Sequence, residues 1–100
     1  MANICDNHFV LRSRNLDDFN KSKEALEEYV NEVGGEITYD DEEDVFEGYF
    51  DSKWTFPIED LEDIIVGDVY FRCLSEEYGE EYVAMNIYDN GWRDEQCFDL

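Results

Sequence analysis

The segment from Thr38 to Asp51, TYDDEEDVFEGYFD, restricts the fold of this chain more than any other. Two short runs of aromatic and β-branched residues, which favour β-strands, are separated by five consecutive carboxylates: Asp40, Asp41, Glu42, Glu43 and Asp44. Adjacent like charges repel one another and cannot be buried without partners. The segment therefore predicts a β-hairpin whose acidic tip lies in water or faces a cationic partner.

The charge of the whole chain follows the same trend. Its 100 residues are 43% hydrophobic and 16% aromatic, which predicts one compact domain over residues 1–100 rather than a disordered chain. Against 7 basic side chains stand 28 acidic ones, giving a net charge of −21, whereas solubility alone asks for a magnitude of roughly 2–8. Halophilic adaptation, cation binding or imitation of a polyanion would explain the excess. Direct binding to nucleic acid or to an anionic membrane is disfavoured by repulsion.

No basic segment precedes a long apolar run, and no stretch of about 18 apolar residues occurs, which predicts a cytoplasmic protein. The cysteines, Cys5, Cys73 and Cys97, are odd in number and form no CxxC pair, so we expect buried free thiols rather than disulfides or a zinc site. His8, the single histidine, is expected to be a strand residue.

The first half of the chain reads as a strand, a helix and the acidic hairpin. His8 to Ser13 predicts a strand with Phe9 and Leu11 on one face. Asn15 is the expected N-cap of a helix that ends at Gly34-Gly35. Its apolar residues recur at helical spacing: Leu16, Phe19, Leu26, Tyr29, Val30 and Val33.

The second half predicts a shorter helix and two more strands. Thr55 or Phe56 is expected to cap this helix, with Pro57 in its first turn. Ile58, Leu61, Ile64 and Ile65 would form its buried stripe, and an acidic ridge would lie outside: Glu59, Asp60, Glu62 and Asp63. Strands are predicted at Val69–Leu74 and Tyr82–Tyr88, joined by a turn with four further acids: Glu76, Glu77, Glu80 and Glu81.

Asn90-Gly91 is a strong turn signal, after which Trp92 to Leu100 can add an edge strand through which a homodimer could pair. The order of elements predicts an α+β domain of ferredoxin-like type (βαββαβ). It would have an antiparallel sheet, two helices on one face and an extra C-terminal hairpin. That fold hosts many unrelated functions, so it does not identify an activity.

Three short motifs resemble a known family. The start, MANICDN, resembles the M-A-N-x-C-x-N opening of the YubB-type ferredoxin-like domains of plasmids and phages. The segment FDSKWTFP is similar to their F-x-T-x-W-x-x-P motif, with Ser52 in place of threonine and Phe56 in place of a frequent second proline. Asp89-Asn90-Gly91 resembles their closing D/E-x-G turn. The resemblance implies a ferredoxin-like fold in a mobile-element setting and brings no catalytic residues.

Enzymatic chemistry is not indicated. The chain has no G-x-S-x-G, H-E-x-x-H or P-loop motif, and among so many acids a carboxylate pair is not a specific signal. The run Asp40 to Asp44 lacks the glycine and distal glutamate of an EF-hand, so at most weak Ca²⁺ or Mg²⁺ binding is expected, with no dedicated metal site and no cofactor. Four aromatic residues are expected in the core rather than in a ligand cage: Tyr49, Trp54, Phe56 and Tyr70.

These features favour a non-enzymatic mimic of nucleic acid. The expected partner is the basic groove of a nucleic-acid-binding protein, such as a CRISPR effector or a restriction enzyme, bound by the carboxylates of the hairpin, the ridge and the later turn. Two alternatives from other classes stay open. One is a binding or regulatory protein of a mobile element whose acidic surface is merely solvated, including solvation in a saline host. The other is a small enzyme.

Overall fold

A computed structural model describes residues 4–77, 79, 82–93 and 96–99. In this part of the chain the elements are β1 (Ile4–Ser13), α1 (Leu16–Val33), β2 (Glu36–Asp41), β3 (Val45–Lys53), α2 (Ile58–Leu61), β4 (Val69–Glu77), β5 (Tyr82–Asp89) and β6 (Gln96–Asp99). The strands form one antiparallel sheet in the order β2-β3-β1-β4-β5-β6. The predicted α+β class, with an antiparallel sheet and two helices, is confirmed, and the arrangement is compatible with a ferredoxin-like type of fold.

Strand β1 is the centre of the sheet because it pairs with β3 on one side and with β4 on the other. Its buried residues alternate, and they include Phe9 and Leu11 as predicted. The strand begins at Ile4 rather than at His8, since the polar residues Asp6 and Asn7 also find partners in both neighbouring strands.

The core lies between one side of the sheet and the helices. Phe9 is at its centre, with its ring 5.9 Å from that of Phe46, 6.1 Å from that of Phe50 and 6.2 Å from that of Phe71. Helix α1 contributes Phe19, Leu26 and Val30, while Leu61 and Ile65 reach the same cluster from α2 and the turn after it. Both helices therefore pack on the same side of the sheet.

Helix α1 begins and ends where the sequence predicts. The side chain of Asn15 accepts a hydrogen bond from the Asp18 amide at 3.1 Å, so it satisfies one of the free donors of the first turn. Gly34 ends the helix with a φ of 83°, a conformation that glycine adopts without steric cost.

Helix α2 is shorter than the sequence pattern suggests. It covers only Ile58–Leu61, its N-cap is Pro57, and no side chain caps it. The prediction that Thr55 or Phe56 caps this helix is wrong. Phe56 is buried with its ring 5.9 Å from that of Trp92, and the Thr55 carbonyl accepts a hydrogen bond from Ser52, so tertiary contacts fix both residues outside the helix.

The side of the sheet away from the helices is open to solvent. No described helix packs on it, and its residues alternate with the buried ones along each strand. We call it the open sheet face and define it by its members: Asp6, His8, Val10 and Arg12 of β1; Val45, Glu47, Tyr49 and Asp51 of β3; Tyr70, Arg72, Leu74 and Glu76 of β4; and Val83, Met85, Ile87 and Asp89 of β5.

Candidate partner-binding surface

The predicted acidic hairpin is present. Strands β2 and β3 pair as far as Asp41 opposite Val45, and the amide of Asp44 donates to the Asp41 carbonyl at 3.1 Å to close the turn. The Asp44 carbonyl also accepts from the Ser13 amide at 2.8 Å, which fixes the turn to the end of β1. All five carboxylate residues, Asp40 to Asp44, are exposed.

Asp40 differs from its four neighbours because it has an ion-pair partner. Its carboxylate lies 2.6 Å from Nζ of Lys23, whose side chain crosses the Phe46 ring with Nζ 5.5 Å from the ring centroid. The lysine is largely covered, with 15% of its side chain exposed. This contact anchors the hairpin to α1, so Asp40 has a structural role and its charge is locally compensated.

The acidic ridge is exposed but is not a continuous helix face. Glu59 and Asp60 lie in α2, while Glu62 and Asp63 lie in the turn that follows. Asp60 accepts a hydrogen bond from the Tyr29 hydroxyl at 3.0 Å, and this bond joins the ridge to α1. Partial burial, together with this contact to Asp60, raises the pKa of Tyr29.

The third predicted acidic group is only partly available. Glu76 is half-buried, and Glu77 is buried at 2% exposure. Glu77 was expected to bind a partner, and that prediction is wrong because β4 continues to this residue and points it to the helix side. Its Oε1 accepts a hydrogen bond from the Gly79 amide at 2.7 Å. Glu80 and Glu81 lie outside the described residues.

Sequence reasoning missed a row of acids on α1. Four exposed glutamates lie on the outer side of this 18-residue helix: Glu24, Glu27, Glu28 and Glu32. Their spacing of three, four and eight residues from Glu24 places them along one helix face, a signal that was present in the sequence. By the rise of ~1.5 Å per residue, the row is about 12 Å long.

Most of these charges are uncompensated by cations. Where both partners are described residues, the ion pairs involve only two carboxylates, those of Asp40 and Asp89. Within the described ranges, no three His, Cys, Asp or Glu side chains form a group that could hold a metal ion. The arrangement can therefore offer a fixed negative surface to a cationic partner.

The two thiols that the structure describes take no part in this surface. Cys5 and Cys73 are buried free cysteines, as predicted, and burial raises the pKa of both. The side chain of Cys97 lies outside the described residues. Next to the thiols, buried Asn7 donates to the Phe50 carbonyl and to the Ser52 hydroxyl at 3.1 and 2.9 Å, and it accepts from Ser75 at 2.7 Å. This network is structural.

Two of the aromatic residues expected in the core are exposed instead. Phe56 is buried and Tyr70 is half-buried, but Tyr49 is 36% exposed and Trp54 is 47% exposed. Tyr49 lies on the open sheet face, where its hydroxyl donates to Glu36 at 2.6 Å. Trp54 follows the end of β3 with a left-handed backbone conformation, at a φ of 72°.

No protein-family model, curated protein sequence or solved structure matches this chain. Among the described residues, no helix has both the length and the apolar character needed to cross a membrane.

Proposed function

We propose that this protein is an acidic mimic of nucleic acid, which inhibits a nucleic-acid-binding protein by occupying its basic groove. One observation carries the proposal. Exposed carboxylates that form no ion pair within the described part of the chain are held in rows by packed elements, on the outer face of α1 and at the β2–β3 turn. A merely soluble surface does not require such a concentration of one charge.

The spacing of the charges fits this role. Four glutamates over about 12 Å of α1 give one charge per about 4 Å, close to the one charge per ~3.4 Å of axis along a strand of B-DNA. The hairpin turn adds Asp41, Glu42, Glu43 and Asp44. Because both elements are tied to the core, the charges are positioned before binding, and little ordering is needed when the partner arrives.

The setting we propose is a phage or plasmid. The resemblance to YubB-type domains supports it, as does the strand order, which we take as a ferredoxin-like fold extended by a C-terminal hairpin. In such a setting the basic targets are host defence nucleases. The protein would be a counter-defence protein of the anti-CRISPR or anti-restriction type, acting without a cofactor in the host cytoplasm.

A different binding mode is favoured by one observation. Ile4 and Val33, 54% and 38% exposed, line a depression of about 450 Å³ beside Tyr29 and Pro57. An apolar patch of this kind is typical of a protein that binds through shape and hydrophobic contact. In that case the acidic surface would only be solvated.

Inhibition of DNA cleavage by a purified CRISPR effector and by a restriction enzyme tests the proposal. The first variant carries Asp41→Asn, Glu42→Gln, Glu43→Gln and Asp44→Asn, and it keeps Asp40 because of its contact with Lys23. The second carries Glu24→Gln, Glu28→Gln and Glu32→Gln. At least one of these variants should inhibit at least about tenfold less strongly than wild type. It should also associate more slowly with the target, and its affinity should depend less on salt concentration.

Two controls separate the rival explanations. Asp6→Asn, Glu47→Gln and Asp51→Asn remove three charges from the open sheet face and should leave inhibition unchanged. Ile4→Ser with Val33→Ser should likewise have no effect under mimicry, but should abolish binding through the apolar patch. If neither acidic variant weakens inhibition and duplex DNA does not displace the protein from its target, mimicry is excluded.

A further inference from the structure

The open sheet face has opposite charges at its two ends. Asp6 lies near the start of β1, and its register partners are both acidic: Asp51 on β3 and Glu76 on β4. Arg12 lies near the other end of β1, and Arg72 lies on the neighbouring strand β4 opposite Val10, two residues along β1 from Arg12. At ~3.3 Å per residue, the six residues from Asp6 to Arg12 separate the two ends by about 20 Å.

The acidic end is unfavourable in an isolated subunit. Asp6 and Asp51 face each other directly across the strand pair, an arrangement in which like charges destabilise a sheet. Burial and the neighbouring Asp6 carboxylate raise the pKa of Asp51. No ion pair within the described chain joins either aspartate to a cation.

At the basic end, two arginines lack carboxylate partners among the described residues. Arg14 and Arg93 both bond to the carboxylate of Asp89. Arg12 and Arg72 are exposed, and no carboxylate of the described residues forms an ion pair with either of them. In a chain with 28 acidic side chains, two unpaired arginines on one face are unexpected.

The middle of the face is apolar between two charged side chains. Val10, Leu74, Met85 and Ile87 are half-buried, and three of them line a shallow depression of about 420 Å³ with His8. Glu47 and Arg72, the register partners of Val10 on β3 and β4, also line this depression. Four strands at ~4.8 Å spacing and about 30 Å of strand length give a face of roughly 600 Å². Two such faces in contact would cover about 1,200 Å², which lies within the range of specific interfaces.

We propose that a second copy of this chain docks on the open sheet face, with the two β1 strands antiparallel across a twofold axis. Each copy then places its arginine end over the aspartate end of the other, and the apolar middles meet. One patch serves both copies, as twofold symmetry requires. The acidic surface of α1 stays outside, where repulsion between two chains of charge −21 is weakest.

Sedimentation equilibrium of the purified protein, without any partner, tests the dimer through complementary variants. Variant N carries Arg12→Asp and Arg72→Asp, so both ends of its face are acidic. Variant P carries Asp6→Arg and Asp51→Arg, so the end that also holds Glu76 becomes net basic and both ends carry positive charge. Each alone should dimerise on the order of 100-fold more weakly than wild type, because like charges meet twice.

An equimolar mixture of variants N and P should recover a heterodimer, since every contact is again between opposite charges. Two copies joined through β6 edges would dimerise equally well in all variants, and that result would overturn the proposal. So would a wild-type protein that stays monomeric at high concentration. Glu27→Arg with Glu28→Arg is the matched control and should leave the dissociation constant unchanged. The measurement involves no target protein, so it is independent of the proposed mimicry.

Discussion

The acidic face of α1 and the open sheet face use charge in opposite ways. On α1, glutamates follow each other along the helix, and among the described residues none of them forms an ion pair with a cation. On the sheet, Asp6, Asp51 and Glu76 lie at one end and two arginines lie toward the other, with apolar residues and Glu47 between them. The first pattern suits a partner of opposite charge, whereas the second is complementary to itself.

The comparison shows why net charge alone is a poor guide to binding surfaces. A value of −21 suggests uniform repulsion between copies, yet the open sheet face gathers Arg12 and Arg72 at one end because strand pairing places them together. The hydrophobic core lies between the two faces, because α1 and the sheet both pack against it. Changes in this core should therefore affect both faces.

The largest effect on stability should come from a change in this core. Phe9→Ala removes a ring that is 1% exposed and contacts three other phenylalanines, so we expect a loss of about 3–5 kcal/mol in unfolding free energy. Urea denaturation provides the measurement. The adjacent control, Val10→Ala on the open face, should cost about 1 kcal/mol or less. An equal loss of unfolding free energy at Phe9 and Val10 would contradict the assignment of Phe9 to the core and of Val10 to the open sheet face.

A smaller effect should follow from repulsion on α1. Replacing Glu24, Glu27, Glu28 and Glu32 by Gln removes several like-charge pairs at helical spacing, and we expect a gain of about 1 kcal/mol in unfolding free energy at low salt. Screening weakens the same repulsion. Raising the salt concentration should therefore stabilise wild type and narrow its difference from the variant. A salt-independent difference would contradict this account of the acidic face.

The smallest effect on stability is expected from removing one charge on the open sheet face. The folded-state pKa of Asp51 is raised above its ordinary value of 3.8. Protonated Asp51 therefore stabilises the folded state fully below pH 3.8, and this contribution is lost as the pH rises through the folded-state pKa. Asp51→Asn should thus stabilise the monomer by about 0.5 kcal/mol at neutral pH, with the gain vanishing near pH 3. Thermal melts of dilute protein at both pH values give the comparison; a gain that persisted in acid would rule out charge repulsion as its cause.

The sequence alone determined the features that depend on near neighbours. The acidic hairpin, the cap at Asn15, the glycine end of α1, the burial of Phe9 and Leu11 and the turn at Asn90-Gly91 all follow from local periodicity and backbone preference. The row of glutamates on α1 could also have been found this way, because helical spacing is fixed by a single element.

Only the tertiary structure decided the features that depend on register. Glu77 is buried because β4 continues beyond its predicted end, and the cap of α2 is lost because Phe56 packs against Trp92. Strand pairing also makes Asp6 and Asp51, 45 positions apart, face each other, and it places Arg12 and Arg72 on the same face of the sheet. Residues far apart in the chain become neighbours only through the sheet, so no local pattern could show the polarity of the open face.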